Sequence, residues 1–133
     1  MAADAVLLLS RLLMGLLFVP SGVDTLRNLD GAAAYFAGLG LPLPLATAWG
    51  TGLFEVIAGV LIVAGGQTRI AAAALALFCL ATAWIGHHGQ GGDDAMLAMM
   101  HWQAMMKDIA ISGGFLALAV AGPGRWSIDR WRG

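Results

Sequence analysis

Four long apolar stretches, separated by short polar or glycine-rich breaks, dominate the pattern of this chain. They run over residues 5–23, 45–64, 70–86 and about 103–122. A helix needs about 20 apolar residues, at about 1.5 Å rise each, to cross a bilayer. The first three stretches meet that length almost without charge. The uncharged part of the fourth, Ile109 to Gly122, is too short alone, so this helix must draw Lys107 and Asp108 into the membrane or its boundary. The breaks carry the expected signals: Gly65-Gly66-Gln67-Thr68-Arg69 between the second and third stretches, Gly89 to Asp94 between the third and fourth, and Gly122-Pro123-Gly124 after the last. The first connection is longer and less polar. There Asp30 is placed to cap a short helix through Ala32, Tyr35 and Phe36, ended by Gly38, Gly40, Pro42 and Pro44. Its aromatic residues suit a membrane interface. The expected fold is all-α: an integral membrane four-helix bundle with a short interfacial helix in the first outer loop, in one domain over residues 1–133.

Composition strengthens this reading. The 133 residues are 59% hydrophobic and 11% charged, whereas a soluble domain carries about 25% charged residues. So few charges could not cover a water-facing surface, so the surrounding partner is the lipid bilayer. A net charge of −1 gives no basic patch for nucleic acid. Cys79 is the only cysteine, which rules out an intrachain disulfide. The segment before the first stretch has no Lys or Arg, and Arg11 lies inside it. That pattern points to a retained helix rather than a cleaved signal. With four spans, Arg69, Arg125, Arg130 and Arg132 share a side with both termini. The positive-inside rule then places both termini in the cytoplasm, with the chain multi-pass in the membrane.

The candidate chemistry lies where charge enters apolar sequence. Arg11, Glu55, Lys107 and Asp108 fall within the spans, at a cost of about 2.5 kcal/mol or more each if unpaired at mid-membrane. Measured from the inner helix ends, Arg11 lies about 9 Å deep, Glu55 about 13 Å, and Lys107 and Asp108 about 20 Å. Arg11 and Glu55 are therefore expected to pair, with Lys107 reaching toward Glu55 and Asp108 neutralising Lys107. Gly15, Gly52 and Gly59 place the first two charges on faces that suit close helix contact, and Ser112, Gly113 and Gly114 supply a similar face on the fourth helix. A polar centre of Arg11, Glu55, Lys107 and Asp108 would hold the bundle together, or would bind a quinone carbonyl through Arg11 or Lys107 while Glu55 takes a proton. His87, His88 and His101 map to the outer side, where His87 and His88 are further candidate quinone contacts. Met96, Met99 and Met100 with His101 form a soft-ligand set suited to Cu(I); equally, the methionines fill apolar gaps. No phosphate loop, dinucleotide glycine fingerprint or Ser-His-Asp arrangement is present.

Several segments carry a family likeness: Arg11-Leu-Leu-Met-Gly15-Leu-Leu-Phe18, Tyr35-Phe36-Ala-Gly-Leu-Gly40-Leu-Pro42-Leu-Pro44, Glu55 followed by Gly59, Gly66-Gln-Thr68-Arg69, Lys107, and Gly122-Pro-Gly124-Arg-Trp-Ser127-Ile-Asp129. In this order and spacing the chain resembles the DoxX family of small bacterial membrane proteins over nearly its whole length. The resemblance implies a four-helix inner-membrane protein linked to membrane redox systems, such as thiosulfate:quinone oxidoreductases or oxidative-stress complexes with superoxide dismutase and a sulfurtransferase. Relatives carry Pro-His-Gly where this chain has Pro20-Ser21-Gly22, a basic residue where it has Thr25, and Lys-Asn where it has Lys107-Asp108. The leading expectation is a membrane subunit of a redox complex that contacts quinone, at most a non-autonomous oxidoreductase subunit with a partner protein. The alternatives are a non-catalytic scaffold or anchor and a small carrier or copper handler. Small residues on several faces permit a homo-oligomer without requiring one.

Overall fold

The computed structural model describes residues 1–132. The chain forms α1 (Ala2–Arg27), α2 (Leu29–Gly38), α3 (Pro44–Ala64), α4 (Thr68–Thr82) continued by a π-helical turn (Ala83–His87), α5 (Ala95–Ala121) and a final turn α6 (Ile128–Arg132). Four of these are long and apolar enough to cross a membrane: Ala2–Arg27, Pro44–Ala64, Thr68–His87 and Ala95–Ala121. The all-α membrane bundle expected from the sequence is thus present. Large apolar side chains face outward along the spans, with Leu13, Leu16, Leu77 and Val120 all exposed. That pattern is wrong for water and right for acyl chains.

Several helix ends differ from the sequence expectation. α1 and α5 are both longer than the apolar stretches that predict them. α5 starts at Ala95, eight residues before the expected start, because Asp94 caps it: Oδ1 accepts from the amides of Met96 (3.0 Å) and Leu97 (3.1 Å). The cap of α2 is Asn28, not Asp30, and its side-chain oxygen accepts from Gly31 N at 3.2 Å.

The bundle is built from two antiparallel pairs, α1 with α3 and α4 with α5. Small residues set the first seam. A Cβ on Gly22 would lie 2.6 Å from the Gly52 carbonyl oxygen, and one on Gly59 would lie 2.8 Å from Val19 Cγ2. Gly22 thus lies against Gly52, and Gly15 against Gly59 and Val63. This register lets α1 overhang the end of α3 by about two turns. In the second pair the buried Ser112 hydroxyl donates to Ala76 O at 3.0 Å. An aromatic core joins the pairs: Phe18 packs edge-on against Phe115 (5.4 Å between centroids) and Phe78 (6.3 Å), and Phe54 lies 5.0 Å from Phe78.

The two ends of the bundle are called here the terminal end (start of α1, α3–α4 turn, α6) and the loop end (α2 and the α4–α5 loop). At the terminal end the last residues fold back over the α1 overhang. Asp4 Oδ1 accepts from Arg125 N at 2.9 Å. Asp129 accepts from the amides of Gln67 (2.7 Å) and Thr68 (2.9 Å), and its own amide donates to Gly65 O at 2.8 Å. Asp129 therefore caps α4 from far along the chain. It also steadies Gln67, a non-glycine residue at φ 49°, a backbone conformation that costs about 1–3 kcal/mol. Arg69 Nη1 donates to the carbonyls of Ala119 (2.8 Å) and Val120 (2.6 Å) and closes the end of α5.

Candidate functional site

The expected polar centre is not assembled. Arg11 is fully buried, but its guanidinium donates to Val63 O at 3.4 Å and to Trp126 O, both backbone carbonyls of the terminal end. The physical reason is the seam register. With Gly22 against Gly52, Arg11 stands level with Val63, and Glu55 stands near Val19, about 12 Å further along the shared axis. Depth measured from helix ends misled because α1 overhangs α3. Lys107 is exposed and neither reaches Glu55 nor pairs with Asp108. Consecutive helical residues point about 100° apart, so when Asp108 turns inward Lys107 turns out.

Glu55 and Asp108 instead border one cavity of about 730 Å³ in the loop-end half of the bundle. Its wall combines Phe18, Phe36, Phe78 and Tyr35 with Asp24, Thr51, Glu55, Thr82, His87 and Asp108. Among the described residues no Lys or Arg lines it. Glu55 sits at mid-helix, and its Oε2 is buried without a hydrogen-bond partner. Exposed Leu17, Asp24, Ala81 and Ile85 are also part of the lining, so the cavity communicates with its surroundings.

Above Asp108 lies a chain of polar contacts. His87 Nδ1 and His101 Nδ1 are 3.0 Å apart. His87 Nε2 is 3.7 Å from Asp108 Oδ2. Thr82 Oγ1 is 3.2 Å from the same oxygen and 3.0 Å from Cys79 O. Helix geometry explains the grouping. His101, Met105, Asp108, Ser112 and Phe115 repeat at four and three residues, which puts them on one face of α5. The π turn then aims His87 between His101 and Asp108. A π turn inserts an extra residue and often marks a functional place in a helix. The Tyr35 hydroxyl donates to Gly86 O in this turn at 3.4 Å. Burial pushes the Tyr35 hydroxyl pKa up, and the Asp108 charge adds to it, so Tyr35 stays a neutral donor.

The other candidates lie elsewhere. His88 stacks on Trp84 (3.9 Å between centroids, 9° between planes) and does not line the cavity. Met96, Met99 and Met100 are exposed, while His101 turns to His87. Among the described residues no group of three or more His, Cys, Asp or Glu is arranged to hold a metal ion. Tyr35, Thr51 and Thr82 were not singled out for this site by the sequence. The seven-residue spacing of His101 and Asp108 was the available signal, and the π turn had none.

Fold and cavity together define a small four-span membrane protein with an acid-lined chamber at one end. The DoxX family profile matches residues 6–88, and the chain belongs to the DoxX family. It is 37% identical over 131 residues to the inner membrane protein YphA of Escherichia coli, covering 97% of this chain and 91% of that protein. It is 36% identical to the inner membrane protein YqjF of the same organism, covering 96% and 92%. It is 31% identical to the uncharacterized membrane protein Rv3486 of Mycobacterium tuberculosis, covering 90% and 77%. No solved structure matches the chain.

Proposed function

We propose that this protein is the membrane subunit of a redox or oxidative-stress system and that its loop-end cavity takes the head group of a quinol. The observation that carries this reading is a chamber of about 730 Å³, within the range of small-molecule sites, that brings aromatic walls and the unpartnered Glu55 oxygen together. Arg11 and Lys107 lie outside it, so the ligand meets acceptors rather than cations. Carboxylates at Glu55 and Asp108 suit hydroxyl groups that donate, which favours the reduced quinol over the quinone carbonyl. Phe18, Phe36 and Phe78 supply ring contacts, and the Tyr35 hydroxyl adds a donor. The chain contributes the binding site and the first proton acceptor, and a partner protein takes the electrons. Both termini lie in the cytoplasm in this reading, which puts the cavity in the outer half of the membrane.

Equilibrium titration of the protein in lipid nanodiscs with short-chain ubiquinol and menaquinol tests the proposal. Saturable binding is expected, weakened about tenfold or more in Glu55→Gln, the loss of one charge-assisted hydrogen bond. No binding of either quinol removes it. The closed polar network at the terminal end favours a second reading, a scaffold that recruits a partner. In that case partner capture survives Glu55→Gln and fails when the α6 segment is disrupted.

A further inference from the structure

We infer that Asp108, His87 and His101 form a proton-transfer chain between the cavity and the loop end of the bundle. It deepens the reading of the cavity as a quinol site by naming where the released proton goes, and it depends on that reading only for the identity of the ligand.

The geometry constrains the protons. Two imidazole nitrogens 3.0 Å apart share one hydrogen: one ring donates and the other accepts. The state of one ring therefore fixes the tautomer of the other. If His87 donates through Nδ1, its Nε2 carries a lone pair toward Asp108. If His87 accepts at Nδ1, its neutral ring carries the hydrogen on Nε2 and presents it to the carboxylate. Thr82 adds a switch at the cavity side. Its hydroxyl has one hydrogen and lies near two acceptors, Asp108 Oδ2 at 3.2 Å and Cys79 O at 3.0 Å. With Asp108 ionised, Thr82 turns its hydrogen to the carboxylate. With Asp108 protonated, the acid hydrogen points to Thr82, and Thr82 donates to Cys79 O.

One passage runs as follows. Asp108 holds a proton taken from the cavity and gives it to the free Nε2 of His87. His87, now an imidazolium, passes its Nδ1 hydrogen to His101 Nδ1. His101 then releases its Nε2 hydrogen to water at the loop end. One proton leaves, Asp108 is again a carboxylate, and the His87–His101 hydrogen bond has reversed direction. The reverse order carries a proton inward. The 3.7 Å gap between His87 and Asp108 is the longest link and closes by a small side-chain rotation. Both groups have room for it, being 24% and 25% exposed. Imidazole is suited to this work because it exchanges protons near neutral pH.

The groups facing the chain come from every neighbouring element. Tyr35 approaches from α2, Glu55 from α3, Cys79 and Thr82 from α4, and Asp24 from α1 across the cavity. Among the described residues no Lys or Arg stands in the lining, so the charged neighbours of His87 across the cavity are carboxylates. His88, stacked on Trp84, is outside the chain and serves as an internal reference.

Nitrogen NMR of histidine-labelled full-length protein in nanodiscs is the test. His87 and His101 are expected to share one hydrogen between their Nδ1 atoms, read as a scalar coupling across the N–H···N bond, with no such coupling at His88. His101→Gln should abolish the coupling. Asp108→Asn should change the ratio of the two tautomers of the pair, read from the ring-nitrogen shifts, and leave His88 unmoved. Thr82→Val keeps both rings and should shift the Asp108 carboxyl band in the infrared while the coupling persists. Two uncoupled histidines, with tautomers unmoved by Asp108→Asn, would overturn the chain. Quinol titration separates the two proposals. If quinols fail to bind while the coupling stands, the ligand assignment falls and the chain holds. If quinols bind with the same pH dependence in wild type and His101→Gln, the cavity reading holds and the chain falls.

Discussion

At the terminal end of the bundle Arg11, Arg69, Asp4 and Asp129 bond to main-chain groups: carbonyls that helices leave open and amides that need a cap. At the loop end Glu55, Asp108 and His87 face other side chains and a cavity. The same residue types thus fasten the chain at one end and leave chemistry available at the other. Backbone groups are fixed in place, so a charge bonded to them is consumed by the fold. A charge aimed into a chamber keeps its capacity for a ligand or a proton.

The largest expected loss comes from breaking the fastened end. Arg11→Met should lower stability by about 3 kcal/mol, because it removes charge-assisted bonds from a fully buried guanidinium site and leaves the part-buried carbonyls of Val63 and Trp126 unpaired. Thermal unfolding in detergent measures it. Arg11→Lys should fall between, since one ammonium does not span both carbonyls as the fork does. An unchanged midpoint in Arg11→Met would erase the contrast between the two ends.

The α1–α3 seam comes next. Gly22→Ala should cost about 1–3 kcal/mol, the usual range for overpacking, because its Cβ would meet Gly52 O at 2.6 Å, Val56 Cγ2 at 2.8 Å and Glu55 Cβ at 2.9 Å. Gly113→Ala is the control. Nothing lies within 4 Å of the added methyl, and the change should stabilise α5 by about 0.5–1 kcal/mol.

Asp129→Asn should cost about 1 kcal/mol as a weakened cap and should flatten the acid limb of stability. Partial burial pushes the Asp129 carboxyl up, but the amides of Thr68 and Gln67 outweigh it and hold it below its ordinary value. Its contribution is therefore full above the unfolded carboxylate value, about 3.9. It is lost as pH falls through the lower folded value. Stability against pH for wild type and variant should converge in acid.

The smallest effect belongs to the open end. Glu55→Gln should change stability by less than about 1 kcal/mol, since Oε2 has no hydrogen-bond partner to lose. A large destabilisation would show Glu55 to be a fastening group like Arg11, and would sharpen the scaffold reading against the quinol site.

Much of the architecture was legible because lipid imposes length. Four apolar runs of about 20 residues admit few alternatives to four spans, and the Gly65–Arg69 turn fell where it was expected. The helix starts were less legible: α5 begins at the Asp94 cap, while the apolar run suggested a start eight residues later. At the site, Glu55, Asp108, His87 and His101 were visible as unusual residues, but their partners were not. Arg11 with Glu55 and Lys107 with Asp108 matched in charge and approximate depth, yet neither pair forms.

The sequence by itself determined that this chain is a four-span helical protein of the DoxX family whose few ionisable groups must avoid lipid. Hydropathy and helix rise are local properties, and local properties survive without a fold. Only the tertiary structure decided which charge meets which partner. The glycine seam slides α1 past the end of α3, so Arg11 meets backbone rather than Glu55. The π turn rotates His87 into the gap between His101 and Asp108. Register and rotation are set by contacts between helices distant in sequence, so no count along the chain contains them.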